Sequence, residues 1–210
     1  MTKSELRTTY LKMRNSLSGD ELTAKSRQIA HRFFENIDLK LVVTLHTFIS
    51  IEKFNEIDTS LIYERIWREF PHLKTLAPRA NLESSEIEHI EFDAETELIE
   101  NKWGIREPAN GESVPAGEID IVIVPLLCFD TRGYRVGYGK GFYDRFLSRC
   151  RADCLKIGLS YFAPVEAIDN VDSLDVPLDF CIMPEAVLTT KNRTRMKRIR
   201  RIYADLKKSL

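Results

Sequence analysis

Two helical patterns open the chain, and each follows a capping signal. Thr2 and Glu5 stand three residues apart, as do Ser18 and Glu21, which is the spacing of a capping box. The apolar residues that recur on one face of the first predicted helix are Leu6, Tyr10, Met13 and Leu17. The second predicted helix ends near Phe34. The chain therefore begins with two amphipathic helices.

Short apolar and β-branched runs then alternate with further helical patterns. Strands are predicted at residues 41–49, 74–77, 87–92, 119–124, 155–160 and 180–183. Helices are predicted from about residue 58 to Phe70, where Pro71 stops the helix, and from Phe142 to Arg149. This alternation is typical of a single α/β domain, Rossmann-like, with a parallel or mixed sheet covered by helices on both faces. We expect that domain to occupy residues 1–190.

Composition adds limits on location and partners. Of 210 residues, 43% are hydrophobic and 30% charged, as in a soluble globular chain. The N-terminus has no apolar signal-peptide centre, and no run approaches the length of a spanning helix, so we expect a cytoplasmic protein with no membrane partner. The four cysteines form no C-x-x-C pair and no H-E-x-x-H occurs, so a zinc site is not expected.

Charge is unevenly distributed. Residues 191–210 carry nine Lys or Arg and one Asp, which predicts a basic C-terminal helical extension and leaves a net charge of -9 on the rest. An acidic body is a poor surface for nucleic acid, and Tyr203 is the one aromatic of the tail. The tail is therefore interpreted as a solvated extension, and RNA binding through residues 191–208 is the alternative.

A glycine-rich segment lies between the predicted strand at 119–124 and the helix at Phe142. Its three glycines and two cations are Gly137, Gly139, Gly141, Arg135 and Lys140. Glycines let backbone N–H groups approach a bulky anion, and a following helix adds its positive N-terminal end. The segment therefore favours phosphate binding over a simple tight turn.

Two common nucleotide motifs do not match this segment. A Walker loop would need glycine at position 134, where the chain has Tyr134, and Ser or Thr at position 141, where it has Gly141. The G-x-G-x-x-G motif would need glycine at position 142, where the chain has Phe142.

Asp144 lies in the first turn of the predicted helix that follows the glycine-rich segment. Its carboxylate either complements the helix dipole or serves as a magnesium ligand. Asp175 and Asp179 are candidates for a second carboxylate.

Residues 135–144, preceded by Val124-Pro125 and by Asp130-x-x-Gly133, closely resemble the signature of the 5-formyltetrahydrofolate cyclo-ligase (5,10-methenyltetrahydrofolate synthetase) family. Further matches follow the same order: Lys3, Leu6, Arg7 and Arg14, then residues 56–59, 103–108 and 177–179. The resemblance extends from residue 3 to about residue 189. It implies an α/β fold and an ATP-dependent conversion of 5-formyltetrahydrofolate to 5,10-methenyltetrahydrofolate, with release of ADP and phosphate.

The resemblance also implies roles for individual residues. The ATP-binding residues it implies are Lys3, Arg7, Arg135, Gly137, Tyr138, Gly139, Lys140, Gly141, Phe142 and Tyr143. The folate-binding residues it implies are Glu56, Trp103, Tyr138, Gly139, Lys140, Gly141 and Phe142. Asp144 and Asp179 match the family's Mg²⁺ ligands, with ATP as the co-substrate. We expect a monomer that binds a reduced folate and ATP.

The phosphoryl transfer that the resemblance implies gives a role to the cations of the glycine-rich segment. A formamide oxygen leaves poorly, so phosphorylating it lets N10 attack the formyl carbon and expel phosphate. Such a transfer depends on positioning the γ-phosphate and offsetting developing charge, so Lys140 and Arg135 are the candidate catalytic residues. As a hypothesis, Glu56 accepts hydrogen bonds from the pterin's N–H groups.

Other interpretations of the same residues stay open. By spacing alone, Lys3 and Arg7 fit a solvated helix face, and Trp103 and Tyr138 fit either a stacking site or core. A sugar-phosphate isomerase or CoA-transferase-like enzyme is the alternative activity, and it would not need ATP.

Overall fold

A seven-stranded mixed sheet forms the centre of the protein. The computed structural model describes residues 1–81 and 86–190. The helices are α1 (Lys3–Asn15), α2 (Gly19–Asn36), α3 (Ser60–Glu69) and α4 (Phe142–Arg149), with short 3-10 turns at Glu52–Phe54 and Ala116–Glu118. The strands are β1 (Thr44–His46), β2 (Lys74–Asn81), β3 (Glu86–Phe92), β4 (Leu98–Glu100), β5 (Arg106–Pro108), β6 (Ile121–Val124), β7 (Cys128–Phe129), β8 (Arg135–Val136), β9 (Leu155–Leu159), β10 (Phe180–Ile182) and β11 (Val187–Thr189).

The strand order is β11-β10-β9-β6-β1-β2-β3, with antiparallel pairing at both edges and parallel pairing between. One face buries Leu45, Ile123 and Ile157 beneath α2 and α3. The other face buries Val122 and Val124 beneath α4. Neighbouring strand residues thus point to opposite layers, as period-two side chains must. The predicted α/β class, with a mixed sheet covered on both faces, is confirmed.

The two capping boxes form as predicted. The Glu5 carboxylate accepts from Thr2 N at 2.8 Å and Thr2 Oγ1 accepts from Glu5 N at 3.3 Å. The same reciprocal pair joins Ser18 and Glu21. Each box satisfies two N–H groups that the first helical turn leaves without partners, so α1 and α2 begin where the sequence indicates.

Two strands differ in length from their predictions. The strand predicted at 41–49 is paired over β1 alone, and the Asp120 carboxylate takes the N–H groups of Val43 and Thr44 at its start. Conversely, β2 continues past its predicted end and through Pro78. Beyond Leu76 it pairs only with β3, so Pro78 needs no N–H on the side of β1.

Three short pairings were not predicted from the sequence. They are the β4–β5 hairpin, the β7–β8 hairpin and the edge strand β11. The predicted basic extension at 191–210 lies outside the described residues. Within the described ranges, no helix combines the length and apolar content required to cross a membrane.

Candidate active site

The candidate site lies at the edge of the sheet where β1, β6 and β9 end. These strands are parallel, so their carboxyl ends meet at one edge, the usual ligand-binding position in such sheets. A small cavity of about 10 Å³ lies there, with Arg14 and Glu56 in its wall. Phe48 and Pro125 contribute from just beyond the ends of β1 and β6, and Leu159 is the last residue of β9.

One face of α1 supplies positive charge to this edge. Lys3, Arg7 and Arg14 are separated by four and seven residues, so the helix presents them on the same side. Arg7 Nε donates to Gly137 O at 2.9 Å. Lys3 Nζ donates to Asp175 Oδ1 at 2.6 Å. The helix face is therefore engaged with the glycine-rich segment, and it is not simply solvated.

The glycine-rich segment joins β8 to α4 in a conformation that needs glycine. Gly139 has φ +92° and Gly141 has φ +68°, both in the left-handed region. A Cβ on Gly139 would also lie 3.1 Å from Arg7 Cζ. Gly141 is the N-cap residue of α4, and among the described residues no side-chain cap bonds to the N–H groups there. Those N–H groups remain available for an anion.

Arg135 and Asp144 form a largely buried ion pair. Arg135 Nη2 donates to Asp144 Oδ1 at 2.7 Å, and Arg135 Nη1 donates to Val176 O at 2.5 Å. Val176 N donates to the same Asp144 oxygen at 3.1 Å. Burial lowers the pKa of the Arg135 guanidinium, and the Asp144 carboxylate opposes that shift. The pair fixes α4 against the chain around Val176.

Asp175 and Asp179 have different surroundings. Asp175 forms an ion pair with Lys3, and its negative charge also raises the pKa of Arg135. Asp179 is nearly buried, and its Oδ2 accepts from Lys156 N at 2.9 Å and lies 3.8 Å from Lys156 Nζ. Asp144 and Asp179, the predicted metal pair, thus have Arg135 and Lys156 as their respective cations. In the described ranges, no group of three or more His, Cys, Asp or Glu is arranged to hold a metal.

A hydrogen-bond relay joins two residues of the cavity wall, Arg14 and Glu56, through Tyr138. Arg14 Nη2 donates to the Tyr138 hydroxyl at 2.6 Å, and that hydroxyl donates to Glu56 Oε1 at 2.7 Å. The other oxygen of Glu56 accepts from Ile51 N at 3.0 Å. Burial raises the pKa of Glu56, and its hydrogen bonds and Arg14 offset only part of that effect. Burial also raises the pKa of Tyr138, with the Glu56 carboxylate adding to the shift.

One aromatic ring, that of Phe54, packs near Tyr138 in this relay. Phe54 lies 5.6 Å from the Tyr138 ring, measured between centroids. Trp103 stands in the turn of the β4–β5 hairpin, 42% exposed, and its carbonyl accepts from Lys53 Nζ at 2.5 Å. Lys53 belongs to the same short turn as Phe54, so the hairpin carrying Trp103 is tied to the segment beside Tyr138.

The remaining predicted site residues are placed around the start of α4. Lys140 is exposed, and its ammonium forms no ion pair with the described residues. Phe142 lines a separate cavity of about 230 Å³ between α4 and β3. The Tyr143 hydroxyl is buried and has no hydrogen-bond partner in the described part of the chain. Burial raises the pKa of Tyr143. The Glu56 carboxylate adds to this shift, and the Arg135 guanidinium opposes it.

Two contacts of the site were not predicted as such. Arg14 donates to the Tyr138 hydroxyl, although the spacing of Arg14 from Arg7 places both arginines on one face of α1. Asp175, not Asp179, contacts Lys3. Both contacts join residues more than 100 positions apart, which local pattern does not reveal.

Comparisons with known proteins identify the family of the chain. A model of the 5-formyltetrahydrofolate cyclo-ligase family matches residues 1–184. The 5-formyltetrahydrofolate cyclo-ligase of Escherichia coli K12 is 26% identical over 179 residues, covering 83% of this chain and 96% of that protein.

Two solved structures are also similar. The NMR structure of Aquifex aeolicus 5,10-methenyltetrahydrofolate synthetase has a TM-score of 0.77 and 30% identity, covering 91% of this chain and 94% of the other. The Mycoplasma pneumoniae 5,10-methenyltetrahydrofolate synthetase has a TM-score of 0.69 and 23% identity, covering 88% and 99%, and shows the shared fold.

Proposed function

This chain belongs to the 5-formyltetrahydrofolate cyclo-ligase family, and we propose that the cleft between Glu56 and Asp144 is where it performs the family's reaction. The enzyme converts 5-formyltetrahydrofolate and ATP to 5,10-methenyltetrahydrofolate, ADP and phosphate. Family membership sets aside the sugar-phosphate isomerase and CoA-transferase-like alternatives. RNA binding by residues 191–208 concerns a segment outside the described residues.

The proposed chemistry proceeds in two stages. The formyl oxygen attacks the γ-phosphorus of ATP, the bond to the β-phosphate oxygen breaks, and ADP leaves. N10 of the folate then attacks the formyl carbon and loses its proton, and phosphate departs with the former formyl oxygen. Neither stage requires a covalent protein intermediate, so the protein acts by positioning the two substrates and offsetting charge.

The phosphate side of the cleft is proposed to be the glycine-rich segment. Gly139 and Gly141 adopt left-handed conformations, and the N-terminus of α4 has no side-chain cap from the described residues, so its first N–H groups are proposed to bind phosphate. Lys140 is the cation there with no carboxylate partner in the described ranges, so it is the proposed stabiliser of the transferring phosphoryl group. Arg135, Lys3 and Arg7 are proposed to hold the surrounding loop and the nucleotide.

Asp144 fits a magnesium ligand better than Asp179 does. Only Oδ1 of Asp144 accepts the hydrogen bonds from Arg135 and Val176, which leaves Oδ2 without such a bond from the described residues. A magnesium ion commonly uses one or two carboxylates together with phosphate oxygens and water. Bound there, it would neutralise charge on the ATP phosphates. The predicted metal role of Asp179 stays a prediction, and its pairing with Lys156 favours a structural role.

The folate side is proposed to be centred on Glu56. The cavity beside Arg14 and Glu56 holds at most a single water, so a pterin enters only if a side chain moves. Tyr138 is the side chain whose hydroxyl already occupies Glu56 Oε1. We therefore propose that the pterin's N–H donors replace this hydroxyl on Glu56. The Tyr138 and Trp103 rings then flank the folate.

The buried hydroxyl of Tyr143 supports a ligand in this region. A buried donor without a partner costs roughly 1–3 kcal/mol, and the proposed substrates offer formyl and phosphate oxygens that would accept its hydrogen bond. The expected monomer and the cytoplasmic location are retained as proposals.

The observation that carries this proposal is the convergence of Arg7 with the glycine-rich segment and of Arg14 with Tyr138 and Glu56. The test is appearance of the methenyl product by absorbance after mixing enzyme, Mg-ATP and 5-formyltetrahydrofolate, with an ATP-free control. Lys140→Ala is expected to lower kcat about 100-fold, the effect of losing one preorganised stabiliser. The exposed Lys40→Ala is the matched control. Equal turnover in both variants would remove Lys140 from catalysis.

A further inference from the structure

Helix α1 lies entirely within the described residues, and Arg14 is its one buried cation. Arg14 is 4% exposed, whereas Lys3 and Arg7 are partly exposed and Lys12 is exposed. Arg14 lines the small cavity beside Glu56, and the rest of that wall is mostly apolar. A positive charge in such surroundings needs hydrogen-bond acceptors from protein or ligand, because little water reaches it.

The guanidinium of Arg14 has fewer partners than its burial requires. Nη2 donates to the Tyr138 hydroxyl at 2.6 Å. Nε is buried and has no hydrogen-bond partner among the described residues. Buried donors are nearly always paired in folded proteins, so the unpaired Nε–H points to an acceptor that a ligand supplies.

The Tyr138 hydroxyl connects Arg14 to Glu56 through a single oxygen. It accepts from Arg14 Nη2 and donates to Glu56 Oε1 at 2.7 Å. When this hydroxyl leaves, as the proposed function requires, Arg14 and Glu56 lose a partner together. A ligand that replaces it must therefore present an acceptor to Arg14 and a donor to Glu56 on one short edge.

The charges of the two residues fix which of them donates. Burial raises the pKa of Glu56, and the positive charge of Arg14 opposes that rise, so Arg14 helps to keep Glu56 ionised as an acceptor. A guanidinium stays protonated in proteins, so Arg14 offers donors only. The pair thus distinguishes a ring carbonyl from a ring amine at the position next to a ring nitrogen.

The reduced pterin of 5-formyltetrahydrofolate has an edge of the required kind. Its N3–H group is a donor, and the carbonyl oxygen O4 on the neighbouring ring carbon is an acceptor. A carbonyl oxygen has two lone pairs, so it can accept from both Nη2 and the unpaired Nε of one guanidinium.

We propose that Arg14 donates to O4 of the pterin while Glu56 accepts from N3–H, which makes Arg14 the residue that selects a 4-oxo pterin. This inference rests on the proposed function of the cleft. An amino group in place of O4 directs N–H donors at the guanidinium, and N3 then carries no hydrogen for Glu56. Such a ligand leaves both charged groups unpaired in a mostly apolar cavity, so it binds weakly.

The test compares 5-formyltetrahydrofolate with its 4-amino-4-deoxy analogue, in which an amino group replaces O4. Isothermal titration gives the Kd of each compound for the native chain, for Arg14→Met and for Lys12→Met. The native chain is expected to prefer the 4-oxo compound, and Arg14→Met is expected to lower the ratio of the two Kd values by about 10- to 100-fold. Lys12→Met removes an exposed cation from the same helix and is expected to keep the native ratio.

The ratio separates recognition from a structural effect, because a distorted cavity weakens both compounds alike. Arg14→Lys keeps the buried charge without the guanidinium fork, so it serves as the second variant if Arg14→Met does not fold, and its ratio is also expected to fall. A native ratio in either folded variant would overturn the role of Arg14. Absence of methenyl product from the native chain with Mg-ATP would instead contradict the proposed function itself.

Discussion

Tyr138 donates its hydroxyl proton to Glu56 across 2.7 Å while it accepts a hydrogen bond from Arg14 at 2.6 Å. The three residues come from the glycine-rich segment, the loop after β1 and helix α1. The contact therefore links the proposed phosphate and folate sides of the cleft. If Glu56 binds the pterin as proposed, its Oε1 becomes available only after Tyr138 releases it.

Tyr138→Phe is expected to strengthen folate binding. The ring remains for stacking, but the hydroxyl no longer competes for Glu56 Oε1. Losing one competing hydrogen bond of about 1 kcal/mol corresponds to a Kd lower by about fivefold. Isothermal titration of the variant with 5-formyltetrahydrofolate measures this change. A higher Kd for the variant would show that the Tyr138 hydroxyl binds the substrate directly.

Glu56→Gln is expected to act in the opposite direction. The substitution keeps the shape but removes the charge that strengthens hydrogen bonds from the pterin, a loss of about 1.5–3 kcal/mol. The folate KM should rise about 10- to 100-fold with little change in the KM for ATP. Glu52→Gln, on the exposed side of the same loop, is the control. An unchanged folate KM would exclude Glu56 from substrate recognition.

Asp144→Asn and Asp179→Asn are expected to separate a metal role from a structural one. Asp144→Asn should raise the Mg²⁺ concentration for half-maximal activity by about tenfold or more, because a neutral amide is a weaker ligand. Asp179→Asn leaves the buried Lys156 ammonium without its anion, so it should lower the free energy of unfolding by about 3 kcal/mol.

The readouts are a magnesium titration of activity and a denaturant unfolding curve for each variant. A shifted magnesium requirement in Asp179→Asn at unchanged stability would restore Asp179 as the metal ligand.

The helix starts and the sheet strands could be predicted because local signals determine them. Capping boxes indicate where α1 and α2 begin, and β6 and β10 are continuous apolar runs. The strands of β7 and β8 have two residues each, too short for any periodicity to show. Tyr138 meeting Glu56 depends on how three distant segments pack. Sequence pattern alone could therefore name both residues but not their contact.

Acid sensitivity is expected from the buried histidines beneath α4. Burial lowers the pKa of His89 to about 4, with Arg149 adding to the shift, and burial also lowers the pKa of His46. The unfolded chain binds protons near pH 6.5, so stability is full above that pH and falls as pH drops toward 4. For His89 the loss reaches about 3 kcal/mol.

His89→Phe is expected to flatten this dependence, because Phe does not titrate and the cavity beside His89 has room for the larger ring. The exposed His31→Gln is the control and should retain the native slope. Thermal unfolding measured between pH 7 and pH 4 gives the comparison. A native slope in His89→Phe would place the acid sensitivity elsewhere.

In the proposed function, the formyl oxygen of the folate receives the phosphoryl group of ATP within this cleft. The direct measurement uses 5-formyltetrahydrofolate with a heavy oxygen isotope in the formyl group, turned over with Mg-ATP, followed by mass analysis of the released phosphate. Each released phosphate is expected to carry one heavy oxygen. Unlabelled phosphate, with methenyl product still formed, would contradict it.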